Sequence, residues 1–349
     1  MRTLEWENSS EKLIMIDQRQ LPNSLVYFEC KSYQDVIYAI KEMVIRGAPA
    51  IGAAAAYGLV LAAIKNNNFQ SSSFIDDVKR AGKELIDARP TAVNLSWAVN
   101  RMLEIFKKDQ LAVDEYKKIF LAEAEKIAEE DILTNKKMAE IGAELIQDGD
   151  TIIHHCNTGS LATVDWGTAL GVIRTAFEQG KKIHVLVDET RPRLQGARLT
   201  AWECKQYGIP FEIISDNMAG YFLQTGKANK VFFGADRVAA NGDVANKIGS
   251  YMLALAAKDN HVPVYSVFPN TTIDLTIPEG KMIPIEERNT GEVLDISIHG
   301  QKVTPEGAGA RNPSFDITPA RLITAWITDK GIVNHPFETS INKLLEIQE

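Results

Sequence analysis

The run KVFFG at 230–234 leads to Asp236, and ten residues further on stand Asn246 and Lys247. A carboxylate at the end of a buried strand loses solvent, which raises its proton affinity and suits it to general acid/base work near neutral pH. Asn246 and Lys247, expected in the first part of the next helix, add donors for a phosphate or sugar oxygen. The competing accounts are a carboxylate paired with Arg237 and a lysine on a solvated helix face. Cys156 ends a second apolar run and precedes Asn157-Thr158-Gly159-Ser160. That turn can open a helix, whose N-terminal amides would lower a thiol pKa and bind anions. A small buried hydrophobe is the alternative for Cys156, and it is the reading given to Cys30 and Cys204.

Other candidates hold anions without doing chemistry. Segment 188–203 carries Arg191, Arg193, Gln195 and Arg198 around Gly196; guanidinium groups beside a close-approaching backbone suit a phosphorylated ligand. A helix start salt-bridged to Asp188 and Glu189 competes. Arg46-Gly47-Ala48-Pro49 and Asp87-Ala88-Arg89-Pro90-Thr91 each put an arginine just before a helix start, where free amides add to the guanidinium. With donors on both halves of the chain, the expected place for a ligand is a cleft between two domains.

The elements that must position these groups fall into two styles. Short alternating segments such as Leu13 to Ile16 come first, and from Ser32 to Ile146 apolar residues recur at three- and four-residue spacing. The longest apolar run, Ala48 to Ile64, is short of the ~20 residues a membrane span needs and reads as a buried helix. After residues 147–150, β-branched runs alternate with helical stretches: TIIHH at 151, KIHVLV at 182, FEII at 211, KVFFG at 230 and VPVYSVF at 262. This is the pattern of βαβ units and a parallel sheet. The expected fold is α/β: a mainly helical domain with a small strand segment, 1–147, followed by a Rossmann-like, mostly parallel-sheet domain, 148–349. In such sheets ligands bind beyond the carboxyl ends of the strands, where Cys156, Asp188, Asp216 and Asp236 stand.

A net charge of -8 without a basic stripe argues against nucleic acid as a main partner. Three scattered cysteines and a charged N-terminus without an apolar core suggest a reduced, cytoplasmic protein with no cleaved signal. His154 and His155 point to opposite faces of one strand, and no Cys/His cluster exists, so no metal is expected. No GxGxxG or Walker motif follows the first sheet strand, so no nucleotide cofactor is expected either.

The blocks RGAPAIGAAAAYG, ARPTAVNLSWAVNRM, HCNTGSLATVDWGTALG, DETRPRLQGARLTAWE, SDNMAG, GADRVAANGDVANKIGSY, IPIEERN and NPSFDITPARLITAWIT resemble the S-methyl-5-thioribose-1-phosphate isomerases of methionine salvage, over roughly Met1 to Val333. The resemblance implies an aldose–ketose isomerase acting on 5-methylthioribose 1-phosphate, without a cofactor and as a homodimer. It implies Asp236 as the general acid/base and Cys156 as the residue stabilising the transition state. Substrate binding then falls to Arg46, Gly47, Ala48, Arg89, Gln195, Asn246 and Lys247. The same fold is expected of ribose-1,5-bisphosphate isomerases and of regulatory subunits of the translation initiation exchange factor. Those subunits usually lack the cysteine of HCNTGS and the intact GADRVAANGDVANKIG block, both complete here. Isomerases of 5-deoxyribose 1-phosphate or ribose 1,5-bisphosphate, and a non-catalytic regulatory subunit, stand as alternatives.

Overall fold

The computed structural model describes residues 1–346 except 67, 69, 91 and 108–110. Internal contacts divide the chain into two compact units, 1–136 with 159–167, and 137–158 with 168–349. Thr91 of the Arg89 junction lies outside the described residues.

The first unit opens with an antiparallel sheet, β1 Leu4–Glu7, β2 Lys12–Ile16 and β3 Tyr27–Cys30, in that order. Helices α1 Tyr33–Lys41, α2 Ala48–Ile64, α3 Ser71–Ala88 and α4 Val93–Leu103 follow, and α5 Val113–Ala143 runs on into the second unit. Ser32 caps α1 through a reciprocal bond pattern with Asp35, satisfying two amides that would otherwise lack partners. The apolar run seen in the sequence is α2. Alanine, leucine and isoleucine cover its whole circumference, so it is the helix that α1, α3 and α4 pack around.

The second unit is a seven-stranded sheet built from β4 Thr151–His154, β5 His184–Asp188, β6 Phe211–Ile214, β7 Lys230–Phe233, β10 Val264–Val267, β15 Ala325–Thr328 and β16 Gly331–Asn334. Its order is β16-β15-β10-β7-β4-β5-β6, parallel except for β16. Alternation along β4 sends Ile153 to one core and Ile152 to the other. The first core is closed by α8 Met218–Gln224, α9 Ser250–Asp259 and α11 Phe337–Glu346. The end of α5, α6 Ala169–Glu178 and α7 Ala201–Tyr207 close the second. Starting from β4, the chain steps outward through β5 and β6, then returns to the other side of β4 at β7. The order reverses between β4 and β7, and that reversal opens a crevice at the carboxyl ends.

All five strands expected from the sequence are present, and β15 and β16 add to them. A smaller sheet has the order β11-β8-β9-β14, with β8 Arg237–Ala239, β9 Val244–Lys247, β11 Ile273–Asp274 and β14 Phe315–Thr318. A short helix, α10 Gly291–Leu294, precedes the hairpin β12 Ser297–Ile298 with β13 Gln301–Lys302. Asn246 and Lys247 therefore lie on a strand, not in a helix. Asn241-Gly242 reverses the chain between β8 and β9, with Gly242 at φ +89° and its amide donating to Ala239 O. Asn-Gly between short apolar pairs is a hairpin turn, and the following helix starts only at Ser250. Among the described residues no helix is long and apolar enough to cross a membrane.

Candidate active site

Cys156 stands two residues beyond β4 and Asp236 three beyond β7, on the neighbouring strands that flank the reversal. Cys156 is buried at 7 % exposure, with its backbone in left-handed space at φ +68°. Its amide donates to Thr190 Oγ1 (2.9 Å), and its carbonyl accepts from Thr200 Oγ1 (2.7 Å). The expected α-helix N-terminus is not at the thiol: a single 3-10 turn, Ser160–Ala162, follows it, and α6 begins only at Ala169, where the Oγ1 of Thr158 accepts from the Leu170 amide (3.0 Å). Burial pushes the thiol of Cys30 up to about 12 and raises that of Cys204 as well, which fits the structural reading of both.

Asp236 is half-buried at the foot of the β8–β9 hairpin, its amide donating to Ala245 O (2.8 Å). Arg237 is 3.7 Å from Asp274. On β9, Asn246 is buried and donates to Ser250 Oγ (2.7 Å), which itself donates to Lys247 O (2.7 Å). Lys247 Nζ donates to Ser314 O (2.7 Å) and lies over the Phe315 ring. Neighbours on a strand leave by opposite faces, so Asn246 and Lys247 are not the side-by-side pair that a helix would present.

Gln195 sits just before a π turn, Gly196–Thr200, that leads into α7. It is buried at 8 % exposure, and among the described residues its Oε1 has no hydrogen-bond partner, which leaves an acceptor for a ligand hydroxyl. Two arginines of this segment are tied up structurally. Arg191 donates to Pro192 O and Val293 O, and Arg193 pairs with Glu292. These hydrogen bonds do not run to the Asp188 and Glu189 of the competing account.

In the first unit, Gly47 begins α2 at φ +97°, with Arg46 before it and Ala48 and Pro49 in the first turn. A side chain at Gly47 would fall 2.2 Å from Ala162 O. Arg89 ends α3 and precedes α4, and its carbonyl accepts from the Ala92 amide (3.0 Å). The predicted residues are thus partitioned: Cys156, Gln195, Asp236, Asn246 and Lys247 in one unit, Arg46, Gly47, Ala48 and Arg89 in the other.

One cluster escaped the sequence reading. His155, Asp188 and Asp216 offer ligand atoms within 4.8 Å of one another, beside a cavity of about 470 Å³ also lined by Arg191 and Met252. His155 lies past the strand and meets carboxylates from distant segments, which neither the strand alternation of His154 and His155 nor the lack of a Cys/His cluster reveals. Such N/O donors suit a divalent cation, but most are already engaged. His155 Nδ1 meets Asp188 Oδ2 (2.9 Å) and Nε2 meets Ile248 O (3.0 Å), while the two Asp216 oxygens accept the amides of Thr190 and Arg191 (2.7 Å each). A carbonyl only accepts, so Nε2 carries hydrogen. Burial disfavours the charged ring, yet the bond to Asp188 outweighs it and holds His155 above its ordinary value. Burial pushes Asp188 up to about 6, against the hydrogen bond from His155 that draws it down.

Residues 44–335 match the Initiation factor 2 subunit family. The chain is 52 % identical over 344 residues to a methylthioribose-1-phosphate isomerase of Thermosipho africanus, covering 99 % of this chain and 98 % of that one. It is 51 % identical over 346 residues to the Thermotoga maritima enzyme of the same name, covering 99 % and 98 %. The solved 5-methylthioribose 1-phosphate isomerase from Pyrococcus horikoshii superposes with a TM-score of 0.92 at 43 % identity, over 99 % and 96 % of the two chains. A structure described as translation initiation factor eIF-2B, subunit delta, from A. fulgidus superposes with a TM-score of 0.88 at 42 % identity, over 99 % of both.

Proposed function

From the premise that the chain belongs to the Initiation factor 2 subunit family, we propose that it works as an enzyme of that family: an aldose–ketose isomerase converting 5-methylthioribose 1-phosphate to 5-methylthioribulose 1-phosphate. Full-length identity of about one half with enzymes so named supports the reading. The observation that carries it is the pairing of Cys156 and Asp236 after the two strands at the reversal of sheet order.

A phosphate on the anomeric oxygen prevents this sugar from opening spontaneously to an aldehyde, so ring opening has to be catalysed with the ester intact. Asp236, protonated, gives its hydrogen to the ring oxygen as the C1–O ring bond breaks. The phosphate-ester oxygen spreads the positive charge left at C1. Hydrogen then leaves C2 and arrives at C1, the C2 hydroxyl becomes the ketone, and its proton returns to the Asp236 carboxylate. If hydrogen leaves C2 as a proton, the Cys156 thiolate takes it and delivers it to C1. If it moves as a hydride, Cys156 shapes a water-poor pocket around the cation. Substantial deuterium at C1 of product formed in deuterated solvent would eliminate a purely direct hydride shift, because only a proton held on the thiol can exchange with solvent. Arg46, Gly47, Ala48, Arg89, Gln195, Asn246 and Lys247 bind the substrate in this proposal, the orphan Oε1 of Gln195 accepting from a sugar hydroxyl.

The protein is proposed to serve methionine salvage in the cytoplasm as a homodimer, for which exposed Met218, Tyr221, Met252 and Leu255 on the adjacent α8 and α9 supply an apolar face. Assays with 5-methylthioribose 1-phosphate, 5-deoxyribose 1-phosphate and ribose 1,5-bisphosphate test the substrate. A pocket discriminates against a missing apolar group by only about 1–3 kcal/mol, so slower turnover of the deoxy sugar is expected. A higher kcat/KM for the bisphosphate would reassign the substrate. No ketose from any of the three would favour the regulatory-subunit reading, to which the A. fulgidus likeness points.

A further inference from the structure

Cys156 is in left-handed space, which costs a residue with a side chain free energy unless its surroundings over-determine it. What over-determines it is a pair of hydroxyls. Thr190 Oγ1 accepts from the Cys156 amide (2.9 Å) and donates to Asp188 O (3.0 Å), so its single hydrogen is committed and the lone pair facing Cys156 is fixed. Thr200 Oγ1 donates to the Cys156 carbonyl (2.7 Å) and accepts from Asn157 Nδ2 (3.2 Å), which also donates to Glu203 Oε1 (2.8 Å). Both threonines are fully buried, so no solvent competes for these bonds.

Each threonine sits in an irregular stretch of chain. Thr190 is β-branched at φ +62°, a conformation such residues rarely adopt. The carboxylate of Asp216 keeps it there, accepting the Thr190 and Arg191 amides at 2.7 Å. Thr200 ends the π turn Gly196–Thr200, an irregularity that costs regular helix bonding and recurs at functional sites. Two irregular segments, one after β5 and one opening α7, thus direct their hydroxyls to one backbone unit, that of Cys156.

We propose that Thr190 and Thr200 are positioning residues that fix the thiol of Cys156 in its working orientation by clamping the peptide groups on either side of it. The proposal rests on the role given above to Cys156. Losing either hydroxyl releases the Cys156 backbone towards negative φ, which swings the side chain away from its place while the groups that bind the substrate stay put.

The test compares Thr200→Val and Thr190→Val, near-isosteres without the hydroxyl, with Thr200→Ser and Thr190→Ser, which keep it. The valine variants are expected to lose about tenfold or more in kcat with KM little changed, a misplacement effect, and the serine variants to recover most of the loss. The alkylation rate of Cys156 by iodoacetamide, read on its own peptide by mass spectrometry, is expected to change in the valine variants and not in the serine ones. The two threonines are tested separately, so that if one valine variant fails to fold the other decides. Wild-type kcat and alkylation in a folded valine variant, or serine variants as impaired as the valine ones, overturn the clamp. Cys156→Ser separates the two levels: if it keeps full turnover, the role of Cys156 itself has failed, whereas if it loses turnover while the valine variants do not, only the clamp has failed.

Discussion

After β4 the chain turns into left-handed space at Cys156 and is fixed by side-chain hydroxyls from Thr190 and Thr200, whereas after β7 it passes through Asp236 into a regular hairpin fixed by main-chain pairing. On the hairpin side, Asp236 N–H to Ala245 O continues the pairing of Arg237 with Ala245 and of Val238 with Val244, and β14 supports β9 from the other edge. Many equivalent bonds share the task, and losing one side chain there removes little of the scaffold. On the thiol side, two side-chain hydroxyls and the carboxylate behind one of them do this work in place of a ladder. A ladder places a proton carrier reproducibly; a strained turn places a thiol in one orientation and makes it sensitive to each supporting group.

The comparison can be broken from either side. Asp236→Asn has the largest expected effect, a loss of about 10³-fold or more in initial rate with the hairpin intact, because it removes proton transfer and keeps shape. Gly196→Ala follows. A side chain there would fall 1.7 Å from Asp188 O, a backbone atom at the end of β5 that cannot move aside. A cost of about 3 kcal/mol or more in urea unfolding is expected, with a drop in turnover because the turn carrying Thr200 shifts. Gly242→Ala attacks the hairpin at φ +89°, where a side chain would come within 2.8 Å of Phe337 Cβ. About 1–3 kcal/mol of stability should be lost while the folded protein retains its turnover, since the ladder rather than the turn places Asp236. If kcat falls there as steeply as in Gly196→Ala, the contrast between the two scaffolds is wrong.

Glu292→Gln is the smallest, since Glu292 meets the thiol-side segment only through Arg193 and touches neither threonine's hydroxyl bonds. Burial would raise the Glu292 carboxyl, but hydrogen bonds from Arg288, Arg193 and Asn312 prevail and hold it at about 2. A depressed carboxylate stabilises the fold above its unfolded value, here 4.5, and that contribution fades as pH falls towards 2. The variant should be about 1–2 kcal/mol less stable at pH 7, allowing for partial solvent screening, and the gap should narrow at pH 3. Turnover at pH 7 should be unchanged.

Legibility in the sequence followed the range of the interactions. The five parallel strands announce themselves as β-branched runs, and α2 as a stretch apolar on every side. The β8–β9 hairpin is not legible, although Asn241-Gly242 is a turn signal, because Val238-Ala239 and Val244-Ala245 are too short and too alanine-rich to read as strands. Asp236 and Cys156 are visible because each follows an apolar run. The left-handed backbone of Cys156 is not, since the hydroxyls that hold it come from residues 34 and 44 positions further along. The same holds for His155, whose carboxylate partner Asp188 arrives on the neighbouring strand.

The central claim is that Asp236 carries the proton that opens a phosphorylated sugar ring, and one comparison tests it most directly: phosphorus NMR of 5-methylthioribose 1-phosphate incubated with the wild-type protein and, separately, with folded Asp236→Asn. The wild-type protein should convert the sugar phosphate to the ketose phosphate until equilibrium, and the variant at a rate lower by about 10³ or more. Conversion by the variant within about tenfold of the wild-type rate, less than a proton carrier is worth, would contradict the claim, as would a wild-type protein that makes no ketose.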